Sequence, residues 1–195
     1  MRIAVQGVPG CFSEQAALGY DPLAEIANCD DFAGIFAALE QGRADRGMVP
    51  VENTLAGAVD EAQALLRQHA VQVEAEVQLQ IELCLMIHPG SGLERIQRVL
   101  SHPVALRQCG RFLGEHPGWL VTPFFDTAGS VQEVMRLGEG GSLDTAAIAG
   151  ARAAEVYGAS IVARGIGDRK ANFTRFFVIS LPARRVPEGR QAGAE

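Results

Sequence analysis

From Val71 to Ile87 the chain places an apolar residue at every second position: Val71, Val73, Ala75, Val77, Leu79, Ile81, Leu83, Leu85 and Ile87. Period two marks extended backbone, because successive side chains of a strand point to opposite faces of its sheet. One strand of that length would run roughly 55 Å, whereas strands are usually about 3–10 residues long. The stretch is therefore expected to leave one sheet and enter another, crossing near residues 78–82. Two sheets imply two lobes.

Strand and helix signals alternate on either side of this ladder. An apolar strand at 2–6 closes on Gly7-Val8-Pro9-Gly10, and Ser13 stands where a helix N-cap belongs, with Glu14 in the first turn. A strand near 24–28 leads to Asp30 and Asp31, caps for a helix whose Phe32, Ile35, Phe36 and Leu39 share one face, with Gly42 as its stop. The strand 47–51 runs into the loop 52–57, and a helix over 59–69 follows. Beyond Pro89-Gly90-Ser91-Gly92 the pattern resumes with a strand at 96–100. A helix opens at Ser101-His102-Pro103, its inner stripe Leu106, Cys109 and Leu113. Next come a strand at 119–125, a helix from Asp126-Thr127, a strand at 146–149, a helix through Tyr157 and a strand at 160–163. Residues 165–172 read as a polar return crossing, and Thr174–Leu181 as the last strand. The reading is an α/β protein of two lobes with mainly parallel sheets and a cleft between them. Residues 1–78 with 172–182 make the first lobe, 79–171 the second, and 183–195, which lacks an apolar stripe, a flexible tail.

Charge and motif content narrow the function. Seventeen Lys and Arg against 23 Asp and Glu give a net charge of -6, without the basic footprint of a nucleic-acid binder. No stretch approaches the roughly 20 apolar residues of a membrane span, and the N-terminus lacks a secretory apolar core. Cys11, Cys29, Cys84 and Cys109 show no paired spacing and suit reduced core thiols, so a cytoplasmic protein is expected. There is no GxGxxG, P-loop, GxSxG or HExxH, and His69, His88, His102 and His116 are scattered; no cofactor and no metal is expected. Ligands of open α/β sheets bind beyond the carboxyl ends of strands. The polar residues standing there are Ser13, Asn53, Thr54, Ser101, Gln108, Thr127 and Thr174. With helix starts at Ser13, Pro103 and Thr127 they suit a small anion. Ser13 and Thr127 read equally well as caps, and Asn53 and Thr54 as turn formers.

The wording of these loops carries a resemblance. Pro9-Gly10-Cys11-Phe12-Ser13, Pro50-Val51-Glu52-Asn53-Thr54, Ser101-His102-Pro103 through Gln108-Cys109, Thr127-Ala128-Gly129 and Asn172-Phe173-Thr174-Arg175-Phe176 resemble the prephenate dehydratase family, in its order and spacing, from residue 3 to about 180. The resemblance implies two α/β lobes like those of type II periplasmic binding proteins. It also implies decarboxylating dehydration of prephenate to phenylpyruvate, in phenylalanine biosynthesis. It makes Thr174 the donor to the departing hydroxyl, with Asn53 and Gln108 completing the catalytic set. Ser13, Thr54, Ser101, Thr127, Ala128, Gly129, Arg175 and Phe176 would surround the substrate, Ser101 and Thr127 holding a carboxylate. Strand alternation points Arg175 away from Thr174, so it either touches substrate or braces the loop through Glu52 or Asp168. Cys11, Val104 and Ser130 depart from the family's usual residues. The family usually continues into an ACT-type domain that binds phenylalanine; the sequence stops at 195, so no allosteric phenylalanine site is expected on it. Room is left for a homodimer. Two alternatives stand beside this reading: dehydration of arogenate, and a non-catalytic module binding a small carboxylate.

Overall fold

The computed structural model describes residues 1–182, so the expected tail at 183–195 lies outside the described residues. In chain order the first elements are β1 (Arg2–Gln6), α1 (Phe12–Tyr20), β2 (Glu25–Cys29), α2 (Phe32–Glu40), β3 (Arg46–Asn53), β4 (Gly57–Ala58), α3 (Asp60–Gln68) and β5 (Gln72–Gln80). The chain then builds β6 (Cys84–Ile87), a 3-10 turn, β7 (Arg98–Ser101), α4 (Pro103–Gln108), α5 (Gly110–Gly114), β8 (Leu120–Pro123) and α6 (Thr127–Glu139). It finishes with β9 (Thr145–Ala149), α7 (Ala151–Tyr157), β10 (Ser160–Ala163) and β11 (Phe173–Ser180).

Two sheets form. The first runs β2-β1-β3-β11-β5, with β4 on β3; the second runs β10-β6-β9-β7-β8. The alternating ladder is split between them as expected, although the break falls at residues 81–83, slightly beyond its expected place. The expectation of mainly parallel sheets is corrected. β1 pairs parallel with β2 and β3, but β11 lies antiparallel between β3 and β5, and β6 lies antiparallel between β10 and β9. The reason is topological: β5 leaves the first lobe, β11 returns to it, and adjacent strands that leave and return must run oppositely. The crossings also bond to each other, Ile81 N–H donating to Asn172 O at 2.8 Å and Ile166 N–H to Leu83 O at 3.0 Å.

Each sheet is covered by apolar side chains on both faces. One face of the first packs Ile35, Phe36 and Leu39 of α2; the other packs Ala16 and Ala17 of α1 against Ile3, Val5 and Phe176. In the second lobe β6 and β9 are buried throughout, which explains their continuous apolar runs. The stripe Leu106, Cys109 and Leu113 does reach one core. It does so from two short helices, because the backbone bends at Cys109 (φ -111°, ψ 23°).

Two capping expectations are also corrected. The N-cap of α1 is Cys11, whose Sγ accepts from Glu14 N–H at 3.4 Å, and Ser13 sits inside the first turn. The N-cap of α6 is Asp126, which accepts from Gly129 N–H, and Thr127 is the first helical residue. Both hydroxyls are thereby spared for other partners. Asp31 caps α2 through Gly34 N–H at 2.7 Å.

Away from the crossings, the lobes meet where α1 abuts α7. Buried Glu14 accepts from Gly10 N–H at 2.8 Å and from Arg152 Nε at 3.0 Å. A Cβ on Gly150 would lie 2.6 Å from the Phe12 ring, so that ring sits directly on the N-cap of α7.

Candidate active site

A cavity of about 280 Å³ opens between the lobes, near the lower end of the range for small-molecule pockets. Gln6, Ser13, Asn53, Thr174 and Phe176 line it from the first lobe. His102, Val104, Gln108 and Thr127 line it from the second, with Ile81 and Leu83 at its back. Among the described residues, no Asp, Glu, Lys or Arg lines it.

The polar wall is organised by Asn53 at the end of β3. Its Oδ1 accepts from the backbone N–H groups of Leu55 and Ala56, both at 2.9 Å. A carboxamide has one accepting and one donating end, so these two bonds force Nδ2 to face the opposite way. There it reaches Thr174 Oγ1 at 2.9 Å, Asn172 Oδ1 at 2.9 Å and Phe173 O at 3.2 Å. Thr174 thus accepts from Asn53. Its own proton has no acceptor among the described residues and is free for the cavity it lines. Asn172 in turn donates Nδ2 to Gln108 Oε1 at 3.0 Å, joining the two lobes.

The remaining expected residues divide. Ser13 and Thr127 line the cavity, and their hydroxyls have no hydrogen-bond partner among the described residues; Phe176 adds apolar surface. Thr54 does not join them: its Oγ1 accepts from Phe173 N–H at 3.0 Å and donates to Ala171 O at 3.4 Å, outside the cavity. Ser101 is fully buried and donates to Ile148 O at 2.6 Å. Ala128 is in the core of the second lobe, and Gly129 spends its N–H on Asp126. Arg175 turns away from the cavity, pairing with Glu52 at 3.0 Å and Glu76 at 3.6 Å; Asp168 holds Arg111 instead.

Asn172 and His102 belong to the site although the sequence does not single them out, and Gln6 lines it likewise. Asn172 is only the first letter of a motif whose functional signal lies in Thr174-Arg175-Phe176. His102 lines the cavity as the N-cap of α4, its Nδ1 accepting from Val104 N–H at 3.3 Å. That bond leaves the ring proton on Nε2. Burial lowers the His102 pKa, with Arg107 adding to the effect and Asp126 opposing it, so the ring is neutral at pH 7.

Among the described residues no group of three or more His, Cys, Asp or Glu could hold a metal, and no helix is long and apolar enough to cross a membrane. The four cysteines are free thiols. Burial pushes Cys11 up to about 11 and Cys109 up to about 12, so neither is a thiolate at neutral pH.

Comparison with known proteins agrees with this geometry. Arogenate dehydratase 5, chloroplastic, of Arabidopsis thaliana is 41% identical over 92% of this chain and 42% of its own length. Arogenate dehydratase/prephenate dehydratase 6, chloroplastic, of the same plant is 41% identical over 92% of this chain and 43% of its own. The chain thus spans less than half the length of these curated relatives. Among solved structures, GqqA, described as a novel type of quorum quenching acylase, superposes with a TM-score of 0.84 at 36% identity, covering 96% of this chain and 66% of that one. The prephenate dehydratase of Arthrobacter aurescens in complex with L-Phe gives a TM-score of 0.85 at 27% identity, over 93% of this chain and 61% of its own. The family model for prephenate dehydratase matches residues 3–184. With its two lobes, its neutral cleft and nearly all of its length matched, this chain belongs to the prephenate dehydratase family.

Proposed function

We propose that the cleft converts prephenate to phenylpyruvate, water and carbon dioxide. The observation that carries this reading is the orientation of Thr174, whose hydroxyl accepts from Asn53 and so keeps its proton for the cavity. In the reaction the ring C–O bond and the bond from ring to carboxylate both break. The electrons of the C–C bond enter the ring, hydroxide departs, and carbon dioxide leaves; aromatisation supplies the driving force. Hydroxide needs a hydrogen-bond donor as it leaves, and Thr174 Oγ1–H is placed to be one. A Thr hydroxyl is a weak acid, so its contribution is a fixed dipole at the developing charge. The open cleft lets water complete the proton balance. Asn53, whose polar atoms are all engaged within the protein, positions Thr174. Gln108 Nε2, His102 Nε2–H, Ser13 and Thr127 are donors suited to the substrate's carboxylates.

Prephenate is preferred over arogenate on one ground: among the described residues no acidic side chain lines the cavity to compensate an ammonium. Arogenate is the second reading, favoured by relatives 41% identical that bear its name. The test offers each substrate separately to the purified protein, following phenylpyruvate from prephenate and phenylalanine from arogenate. A higher kcat/KM for prephenate is expected. The reverse ranking assigns the second reading, and turnover of neither overturns the dehydratase reading in favour of a binding module.

A further inference from the structure

We infer that Asn172 is a positioning residue that fixes which end of the Gln108 amide meets the substrate; the inference rests on the dehydratase reading of this cleft. Asn172 is 3% exposed and stands on the return crossing, between Asn53 of the first lobe and Gln108 of the second.

The sense of each amide is set by the one before it. The backbone N–H groups of Leu55 and Ala56 hold Asn53 Oδ1, so Asn53 offers its donor end to Asn172. Asn172 must answer with Oδ1, because two amide nitrogens facing each other at 2.9 Å would set donor against donor. Its Nδ2 is then the only end left for Gln108, which must answer with Oε1 at 3.0 Å. Gln108 Nε2 consequently has no partner among the described residues and belongs to a side chain that lines the cavity. A tight turn in the first lobe thereby dictates, through three carboxamides, that the second lobe presents a donor to a dianionic substrate. Reversing Gln108 alone would place an acceptor there. The same crossing also fixes the residue's backbone, since Asp168 N–H donates to Gln108 O at 2.7 Å.

Two measurements test this. The first is NMR of the side-chain amides in the ligand-free protein, with Gln108 assigned by the signal lost in Gln108→Ala. Rapid water exchange of the Gln108 NH2 and protection of the Asn172 NH2 are expected; the reverse pattern overturns the inference whatever the protein's activity. The second is kinetic and uses Asn172→Asp, which keeps shape and still accepts from Asn53 but cannot donate to Gln108. Gln108 should then turn its NH2 toward Asp, becoming protected, and kcat/KM should fall about tenfold or more, chiefly through KM. In a Gln108→Ala background the same change should cost less than about threefold, because its target is gone. Equal losses in both backgrounds would make Asn172 a structural residue only. If the wild type turns over neither prephenate nor arogenate, the functional reading fails while the NMR result still decides the sense of the amides.

Discussion

Thr174 owes its chemistry to its neighbour. Asn53 has two N–H protons and three acceptors within reach: Thr174 Oγ1, Asn172 Oδ1 and Phe173 O. Removing the Thr hydroxyl therefore leaves both protons with partners. Thr174→Val should lower turnover by at least about a hundredfold, the low end for removing one hydrogen-bond donor at a developing charge, while costing less than about 1 kcal/mol of stability because no buried donor is orphaned. Thr174→Ser should retain most of the activity. Near-normal turnover in the Val variant would remove Thr174 from the mechanism; a large drop in the unfolding midpoint would refute the spare acceptor. The sequence made the gathering of Thr174, Asn53, Gln108, Ser13 and Thr127 legible: four stand at strand ends or helix starts, Gln108, the last residue of α4, belongs to the motif that opens at Ser101, and all five line one cavity. It did not make Thr54 or Ser101 legible. Their hydroxyls are bound by carbonyls 117 and 47 residues away, and no local pattern reports such a partner.

Elements were easier to read than their ends. The ladder from Val71 revealed two sheets, because period two is a local property. The strand pairing was hidden, because β11 inserts between β3 and β5 from nearly the far end of the chain. Caps fall between these cases: Asp31 was visible in the sequence, whereas Cys11 and His102 lie outside the usual cap residues. The His102 cap has a pH dependence with a definite sign. Burial holds its folded pKa below the ordinary 6.5, so between those two values the unfolded chain takes up a proton that the folded chain refuses. Stability must fall as pH falls through that window. Protonation would also occupy Nδ1 and break the bond from Val104 N–H. His102→Asn keeps a capping acceptor without titrating in that range. The loss of urea midpoint between pH 7.5 and 5.5 should be smaller in this variant than in the wild type. Equal losses would show that other groups carry the acid sensitivity.

For the whole molecule, the cleft depends on how the lobes seat against each other, and the loop after β1 is the wedge between them. Gly10 has φ +84°, and a Cβ there would sit 2.8 Å from the Cα of Ala153 on α7. Backbone cannot yield as a flexible side chain does, so an added methyl must push α7 or the loop itself. Gly42 is the control: its φ is +67°, but none of the described residues lies within 4 Å of its Cβ position. Gly42→Ala should cost only the left-handed strain, about 1–2 kcal/mol, and leave turnover unchanged. Gly10→Ala bears similar strain plus overpacking of about 1–3 kcal/mol. Because Glu14 accepts from Gly10 N–H and from Arg152, the displacement also loosens the half-buried ion pair across the junction. Ser13 and Phe12 follow within the next turn and line the cavity, so the shift reaches the site. Chemical denaturation and kcat/KM, measured side by side on both variants, separate these effects. Gly10→Ala should lose more stability than Gly42→Ala, and only Gly10→Ala should lose catalytic efficiency. Equal behaviour of the two would mean that the lobes do not depend on this contact for their seating.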